Sequence, residues 1–139
     1  MMLQFKTAIR RKKPSAPTKY LDKSSLLVGK MLDYGCGYGV DADYFGMDKY
    51  DPHYFPDKPE GKYDTIICQY VLNVVPKEII PDITRKIKIL LDKGGKAYLT
   101  VRRDIVGEYF TYRGMQRRVE LDLPILTENS SYCIYTINK

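Results

Sequence analysis

Short apolar runs bounded by turn-forming residues predict alternating strands and helices along most of the chain. The predicted strands cover residues 30–34, 47–51, 64–69 and 96–101. The run at 64–69 has a continuous apolar centre, which is typical of a strand buried on both faces of a parallel sheet. This order of elements predicts an α/β fold with a mainly parallel sheet.

Helices are predicted where apolar residues recur at helical spacing. Residues 40–45 allow one or two turns, and residues 79–91 place isoleucines and leucines on one face. Gly94-Gly95 is predicted to end that helix. A short helix is also expected within residues 19–29, with its leucines facing inward.

The last part of the chain predicts strands of a different kind. Residues 119–123 alternate between apolar and acidic side chains, and residues 132–137 are mostly apolar. Together they predict an antiparallel pair at one edge of the sheet.

Length and composition indicate one folded domain. The chain has 139 residues, of which 44% are hydrophobic, and no apolar run is long enough to span a membrane. An N-terminal apolar segment of the secretory kind is absent, so we expect a cytoplasmic protein. Three scattered cysteines predict no disulfide framework, and a single histidine argues against a metal site.

Positive charge is concentrated at the N-terminus. Residues 1–30 contain eight Lys or Arg and one acid, whereas the remaining 109 residues contain fifteen bases and sixteen acids. We therefore predict a basic arm over residues 1–18, extended around Pro14 and Pro17, followed by a folded domain over 19–139. Such an arm suits an anionic partner, most often nucleic acid, and a solvated tail is the equal alternative. A mitochondrial transit peptide ranks third, because the prolines make a poor amphipathic helix.

A glycine-rich turn follows the first predicted strand. Asp33 ends that strand, and Gly35, Gly37 and Gly39 follow at alternate positions. Dinucleotide-binding loops have the different spacing G-x-G-x-x-G, which would put the third glycine at Val40. Glycine accepts positive φ and lets the backbone approach a ligand closely, so the turn predicts a cofactor loop. The alternative is an ordinary turn between two elements.

Four stretches together resemble class I S-adenosylmethionine (SAM)-dependent methyltransferases. They are LDYGCGYG at 32–39, YDP at 50–52, YDTIICQYVLNVVP at 63–76 and LLDKGGKAYLTV at 90–101. The pieces LDYGCG, YDPHYFP, YVLNVVP and VRRD, with KTAIRRKKPSAP in the arm, resemble small bacterial and phage methyltransferase-like proteins. Some of those proteins are associated with DNA phosphorothioation systems. The resemblance implies SAM as cofactor.

The resemblance also implies a minimal Rossmann-like fold with one strand fewer than usual. Eleven residues separate Gly39 from Asp51, and twelve separate Asp51 from Asp64, which leaves no room for the family's third strand. The expected sheet order, in family strand labels, is therefore 2-1-4-5-7-6, with an antiparallel C-terminal strand. The loop at 53–57 is expected to form a wall of the adenine pocket in place of the missing strand.

The resemblance assigns the cofactor-binding residues as Asp33, Gly35, Cys36, Gly37, Gly39, Asp51, Pro52 and Gln69. Asp33 would face the ammonium group of SAM, and Asp51 would accept hydrogen bonds from both ribose hydroxyls. The alternatives are a loop cap for Asp33 and an Asp-Pro turn for Asp51. Methyl transfer mainly requires alignment of the acceptor, so the sequence names no catalytic residue.

Residues after the fourth and fifth family strands are the candidates for contact with the acceptor. They are Tyr70, Asn73, Arg102 and Arg103, to which Arg113, Arg117 and Arg118 would add a phosphate-binding face. A packed tyrosine, and solvated or internally paired arginines, are the alternatives.

The sequence therefore predicts a methyltransferase acting on a nucleic-acid or nucleotide-like acceptor. The motif [DNS]-P-P-[YFW] of amino-methylating DNA enzymes is absent after Gln69, which disfavours that particular reaction. The alternatives are a small-molecule methyltransferase, or a non-catalytic SAM-binding accessory or nucleic-acid-binding module.

Overall fold

The computed structural model describes residues 12–111 and 114–139. Most of the basic arm and the candidate Arg113 lie outside the described residues. The helices are α1 (Ala16–Lys23), α2 (Val40–Phe45) and α3 (Ile80–Leu90), with a 3-10 turn at Lys77–Ile79. The strands are β1 (Met31–Tyr34), β2 (Asp48–Tyr50), β3 (Tyr63–Gln69), β4 (Leu91–Arg102), β5 (Glu108–Thr111), β6 (Gly114–Arg117), β7 (Ile125–Glu128) and β8 (Tyr132–Asn138).

Six strands form a mainly parallel sheet in the order β2-β1-β3-β4-β8-β7. Strands β2, β1, β3 and β4 are parallel, whereas β8 runs antiparallel to β4 and β7 antiparallel to β8. The α/β class and the predicted order 2-1-4-5-7-6 are confirmed. Residues 52–62 contain no named strand, only an isolated bridge between Asp51 and Phe55, so the family's third strand is missing.

The strand predicted at 119–123 is wrong, because the edge strand β7 begins later. Val119 is buried in the core, and the backbone N–H of Leu121 donates to the Tyr135 hydroxyl at 3.1 Å. The alternation in this segment therefore reflects packing of a loop on the sheet. Pairing with β8 starts after Pro124, at Ile125. The hairpin formed by β5 and β6 was not predicted.

The helix stop predicted at Gly94-Gly95 is also wrong. Helix α3 ends at Leu90 and β4 begins at the next residue, so both glycines lie within the strand. The register with β3 shifts across them, from Tyr63 opposite Leu91 to Thr65 opposite Lys96. A Cβ on Gly95 would lie 2.8 Å from the Tyr63 carbonyl oxygen, so this bulge requires glycine.

Apolar side chains pack on both faces of the sheet, as the continuous apolar strands require. The larger core lies on the α3 side and includes Leu32, Ile66, Leu99, Ile83 and Ile87. The smaller core lies on the side of α1 and α2 and includes Leu21, Ala42, Ile67, Tyr98 and Ile134. We call these the α3 side and the α1 side below.

Helix α1 begins earlier than the predicted boundary between arm and domain. It starts at Ala16, with Pro17 in its first turn, where a missing backbone N–H costs nothing. Ser15, Pro17 and Thr18 are buried, so residues 15–18 belong to the fold and not to an extended arm. The sequence places these residues in the arm because their long-range partners cannot be identified from it.

A buried hydrogen-bond network holds the start of α1 in place. Asp41, in the first turn of α2, accepts from the Ser15 backbone N–H at 2.8 Å and hydroxyl at 2.7 Å. It also accepts from the Thr18 hydroxyl at 2.7 Å. The Gln69 amide, at the end of β3, lies 2.6 Å from the Ser15 hydroxyl and donates to the Thr18 hydroxyl. The network therefore joins α1 to both α2 and β3.

We predict that Thr18→Val lowers the free energy of unfolding by about 1–3 kcal/mol, because it leaves buried partners unsatisfied. Valine keeps the shape but removes a donor to Asp41 and an acceptor for Gln69. Chemical denaturation measures the change. The matched control is Thr84→Val, whose hydroxyl makes one exposed bond and whose effect should stay within about 0.5 kcal/mol. Equal losses in the two variants would show that the network adds no stability.

Candidate cofactor-binding site

The carboxyl ends of four parallel strands meet at one edge of the sheet. The loops that leave β1, β2, β3 and β4 there are residues 35–39, 51–55, 70–76 and 103–107. Ligands of α/β proteins bind beyond this edge. The predicted site residues from Asp33 to Arg103 all lie at this edge or beside it.

The glycine loop after β1 adopts the predicted left-handed backbone. The φ angles are +86° at Gly35, +58° at Gly37 and +86° at Gly39. The backbone N–H groups of Gly35 and Cys36 donate to the Tyr50 carbonyl at 2.7 and 2.9 Å. Because these bonds join the end of β1 to the end of β2, the loop has a fixed position above the sheet.

Side chains of the protein already occupy the space beside two of these glycines. A Cβ on Gly35 would lie 2.3 Å from Val71, in the loop after β3. A Cβ on Gly39 would lie 2.7 Å from Lys49 and 3.4 Å from Phe55. Glycine is therefore required at both positions by packing within the protein as well as by backbone conformation.

Asp51 joins the glycine loop to the turn that follows β2. Its Oδ2 atom accepts from the Gly37 N–H at 2.9 Å, and Oδ1 accepts from the N–H groups of His53 and Tyr54 at 2.9 and 3.2 Å. A carboxylate offers about four acceptor positions, so one remains, on Oδ2. In this arrangement Asp51 can accept from one further donor, and the bonds from both ribose hydroxyls that the resemblance implies stay a prediction.

The turn after β2 carries aromatic side chains toward the glycine loop. Pro52 is half-buried at its first position, where its fixed φ favours a turn. The rings of Tyr54 and Tyr38 have centroids 4.6 Å apart, and their hydroxyl oxygens are 3.4 Å apart. The Lys49 ammonium lies 4.6 Å from the Phe55 ring centroid. Two rings of the loop expected to form a wall of the adenine pocket thus lie against Tyr38 of the glycine loop and Lys49 of β2.

Two acidic side chains and a protonated thiol give the site its electrostatic character. Asp33 is 4% exposed, and Asp51 accepts from the Gly37 N–H of the glycine loop. Burial raises the pKa of the Cys36 thiol, and Asp33 and Asp51 raise it further. The thiol is therefore neutral, and it contacts the Gly37 carbonyl at 3.7 Å. This environment disfavours an anion and suits a ligand that carries positive charge.

Gln69 lies at the predicted edge, but its amide contacts the protein. Ser15 and Thr18 contact both ends of that amide, as described above. In the described structure Gln69 therefore positions α1 rather than presenting a free amide to a ligand.

Tyr70 follows Gln69 with a φ of +60°, which is rare for a residue with a bulky side chain. Its N–H donates to the Thr100 carbonyl at 2.8 Å, and its ring packs against the core on the α1 side. The packed tyrosine is therefore the alternative that the structure favours. The strained backbone turns the following residues toward the glycine loop, where Val71 covers Gly35.

Asn73 is fully buried and braces the loop after β3. Its side-chain oxygen accepts from the Arg102 N–H at 2.9 Å, and its amide donates to the Arg117 carbonyl at 2.7 Å. Both ends of the Asn73 amide therefore bond to the protein, and its contact with an acceptor stays a prediction.

The predicted phosphate-binding arginine face is not formed as expected. The Arg103 side chain is 5% exposed and bonds Glu128 at 2.5 Å, the Val119 carbonyl at 2.8 Å and the Tyr135 hydroxyl at 2.6 Å. Arg102 makes two 2.8 Å bonds to Asp104, and these bonds lower the pKa of that carboxyl. Internal pairing, the alternative given above, therefore applies to both.

Several residues of the site were not predicted. Ser15, Asp41, Tyr38 and Val71 act through partners that lie far away in sequence or in another loop. Only Asp41 left a signal in the sequence. It lies two residues after Gly39, and acidic residues favour the first turn of a helix. Its partners in α1 could not be identified from spacing.

The described residues contain no group of three or more His, Cys, Asp or Glu side chains able to hold a metal ion. Within the same part of the chain, no helix is long and apolar enough to cross a membrane.

Comparison with known proteins agrees with this geometry. The sequence matches the family described as methyltransferase domain over residues 6–124. No curated protein matches the sequence significantly.

Solved structures of methyltransferases share the fold at low sequence identity. The 1,6-didemethyltoxoflavin-N1-methyltransferase of Burkholderia thailandensis, with S-adenosylhomocysteine bound, is 15% identical with a TM-score of 0.67, covering 89% of this chain and 77% of that one. The magnesium protoporphyrin IX methyltransferase of Synechocystis PCC 6803, with SAM bound, is 16% identical with a TM-score of 0.56, covering 89% and 76%.

TehB from Haemophilus influenzae is 14% identical with a TM-score of 0.64, and the match covers 87% of this chain but only 61% of TehB. Because the family match spans most of the sequence and the sheet has the same architecture, the chain belongs to the methyltransferase domain family and is a class I SAM-dependent methyltransferase.

Proposed function

We propose that this methyltransferase acts on a nucleic-acid or nucleotide-like acceptor and binds SAM over the glycine loop. SAM supplies a methyl group that its sulfonium already activates. The protein has to bind and orient the cofactor, exclude water and align the acceptor behind the methyl group. This division of work fits a site with no assigned acid, base or nucleophile.

Residues at the end of β1 and on the loops after β1 and β2 would hold the cofactor. The free acceptor position on Asp51 Oδ2 suits one ribose hydroxyl, beside the N–H of Gly37 that the same atom already binds. Asp33, nearly buried at the end of β1, suits the methionine ammonium group. The aromatic pair Tyr38–Tyr54 supplies an apolar wall on the side where the third family strand is missing.

The position of the basic N-terminal segment carries the proposal on the acceptor. Residues 1–13 contain five Lys or Arg and no acid. The exposed Lys12 and Lys13 come just before Ser15, whose hydroxyl lies 2.6 Å from Gln69 at the end of β3. The segment therefore joins the fold beside the cofactor site, where a polyanionic acceptor would gain from its charge.

Two further observations support the proposal. The sequence resembles small bacterial and phage proteins, some of which are associated with DNA phosphorothioation. The three cysteines are free, which is in keeping with a reducing cytoplasm.

Transfer of tritium from methyl-labelled SAM tests the proposed acceptor class. We expect label in acid-precipitable DNA or RNA when single- and double-stranded polynucleotides are supplied separately. Label that appears only in small molecules of a cell extract would support the small-molecule alternative. Tight SAM binding without transfer to any acceptor would support an accessory role.

For the cofactor site, we predict that Asp51→Asn weakens S-adenosylhomocysteine binding by about 10- to 150-fold. That range corresponds to about 1.5–3 kcal/mol, as for a lost hydrogen bond to a charged group. The NH2 group that this substitution introduces also faces a backbone donor. In one orientation that donor is the Gly37 N–H, and in the other it is the N–H groups of His53 and Tyr54. Calorimetry measures the affinity, with the exposed Asp57→Asn as a control of equal charge. Equal affinities in the two variants would place the ribose elsewhere.

For the basic segment, we predict that replacing Arg10, Arg11, Lys12 and Lys13 with Gln weakens polynucleotide binding and flattens its salt dependence. Each lost phosphate contact reduces the slope of log K against log salt by about 0.7–0.9. Fluorescence anisotropy over a salt series measures this slope. A control variant has Gln in place of four exposed lysines, so it loses the same amount of positive charge. These are Lys77, Lys86, Lys88 and Lys93. An equal change in both variants would mean that only net charge matters.

A further inference from the structure

The hairpin formed by β5 and β6 presents apolar side chains to solvent next to the site. Phe110 is 73% exposed, Tyr109 is 38% exposed and Val106, just before the hairpin, is 85% exposed. We propose that this hairpin is an aromatic platform on which an unpaired base of a single-stranded polynucleotide stacks. The proposal rests on the proposed function and names the part of the protein that holds the acceptor.

The hairpin is fastened to the loop that covers the cofactor site. The Arg117 N–H donates to the Asn73 carbonyl at 2.8 Å, and the Asn73 amide donates to the Arg117 carbonyl at 2.7 Å. Asn73 lies two residues after Val71, which packs over Gly35 of the glycine loop. At the next residue, the Arg118 N–H donates to the Gly107 carbonyl at 2.8 Å and closes the base of the hairpin. One loop therefore separates the hairpin from the glycine loop.

Positive charge accompanies the exposed aromatic rings. Residues 102–118 contain five arginines and two acids. Arg102 and Arg103 pair with Asp104 and Glu128, so Arg117 and Arg118 carry the positive charge that the structure describes here. Arg117 donates to the carbonyls of Leu72 and Val75, and Arg118 to those of Arg103 and Ile105. Carbonyl oxygens satisfy the guanidinium hydrogen bonds without cancelling their charge, so the base of the hairpin stays cationic.

Lys12 and Lys13, the described part of the N-terminal basic segment, and the base of the hairpin adjoin the same edge of the sheet from opposite sides. Helix α1, which follows the N-terminal segment, packs on the α1 side through Leu21. The segment after the hairpin packs on the α3 side through Val119. A single strand of nucleic acid that crosses this edge would meet positive charge on both sides and an exposed ring on one.

This combination fits a single strand better than a duplex or a protein surface. Single-stranded nucleic acid is bound by basic surfaces that follow the phosphates and by aromatic rings that stack on unpaired bases. Tyr109 and Phe110 are adjacent in a strand, so their rings point to opposite faces of the hairpin. Phe110 is the more exposed, and we assign the stacking to it.

The experiment uses the full-length chain and a fluorescein-labelled single strand, as DNA and as RNA. We expect Phe110→Ala to weaken binding by about 5- to 150-fold, the equivalent of one lost stacked base. Tyr44→Ala is the matched control, because Tyr44 is an aromatic residue 69% exposed on α2, and its loss should leave the affinity unchanged. Calorimetry with S-adenosylhomocysteine should give wild-type affinity for both variants, which shows that both are folded.

A second variant reports stacking directly. The chain contains no tryptophan, so Phe110→Trp introduces a single tryptophan at the platform, which can be excited without exciting the thirteen tyrosines. We expect its emission to be quenched by the oligonucleotide, whereas Tyr44→Trp should not be. If Phe110→Ala binds the oligonucleotide as tightly as the wild-type protein and Phe110→Trp is not quenched, the platform is wrong. The proposed acceptor class would still stand.

Two other results would overturn the platform for different reasons. If the wild-type protein binds neither DNA nor RNA strands, both the platform and the proposed acceptor class are wrong. If Phe110→Ala reduces the sedimentation mass of the protein without changing oligonucleotide affinity, the hairpin binds a second copy of the chain.

Discussion

The candidate site depends on one carboxylate, Asp51, which accepts hydrogen bonds from the backbone of two separate loops. Its bond to the Gly37 N–H fixes the glycine loop, and its bonds to the N–H groups of His53 and Tyr54 fix the turn after β2. A chain that lacks the family's third strand has no neighbouring strand to support that turn. Asp51 therefore supplies by hydrogen bonding the support that a neighbouring strand would otherwise give.

Other contacts of the site surround these hydrogen bonds of Asp51. Val71 and Phe55 fill the spaces that Gly35 and Gly39 leave open, so the loops after β1, β2 and β3 pack as one unit. The Asp41 network attaches α1 to the same unit from the α1 side. Contacts between these loops therefore stabilise the edge of a small domain. The same contacts leave Asp51 Oδ2 with an unused acceptor position.

The sequence was informative where structure is local and uninformative where it depends on distant partners. Apolar runs were enough to predict a mainly parallel sheet, because buried parallel strands leave local signals. The order of the strands came from the resemblance to class I methyltransferases. The roles of Asn73 and Arg103 could not be predicted, since their partners lie more than fifteen residues away or in an unpredicted hairpin. Alternation at 119–123 misled for the same reason, because a loop packed on a sheet repeats the pattern of a strand.

Amide NMR of the ¹⁵N-labelled protein during a titration with S-adenosylhomocysteine gives the most direct test. It shows whether the two loops that Asp51 connects form the cofactor site. The amide signals of Gly37, His53 and Tyr54 report on the three bonds to Asp51, and those of Gly94 and Gly95 report on the start of β4, at the opposite edge of the sheet. If Asp51 and these loops bind the ribose, the first three signals shift saturably while the other two stay in place. Saturable shifts elsewhere, with those of Gly37, His53 and Tyr54 unchanged, would contradict it.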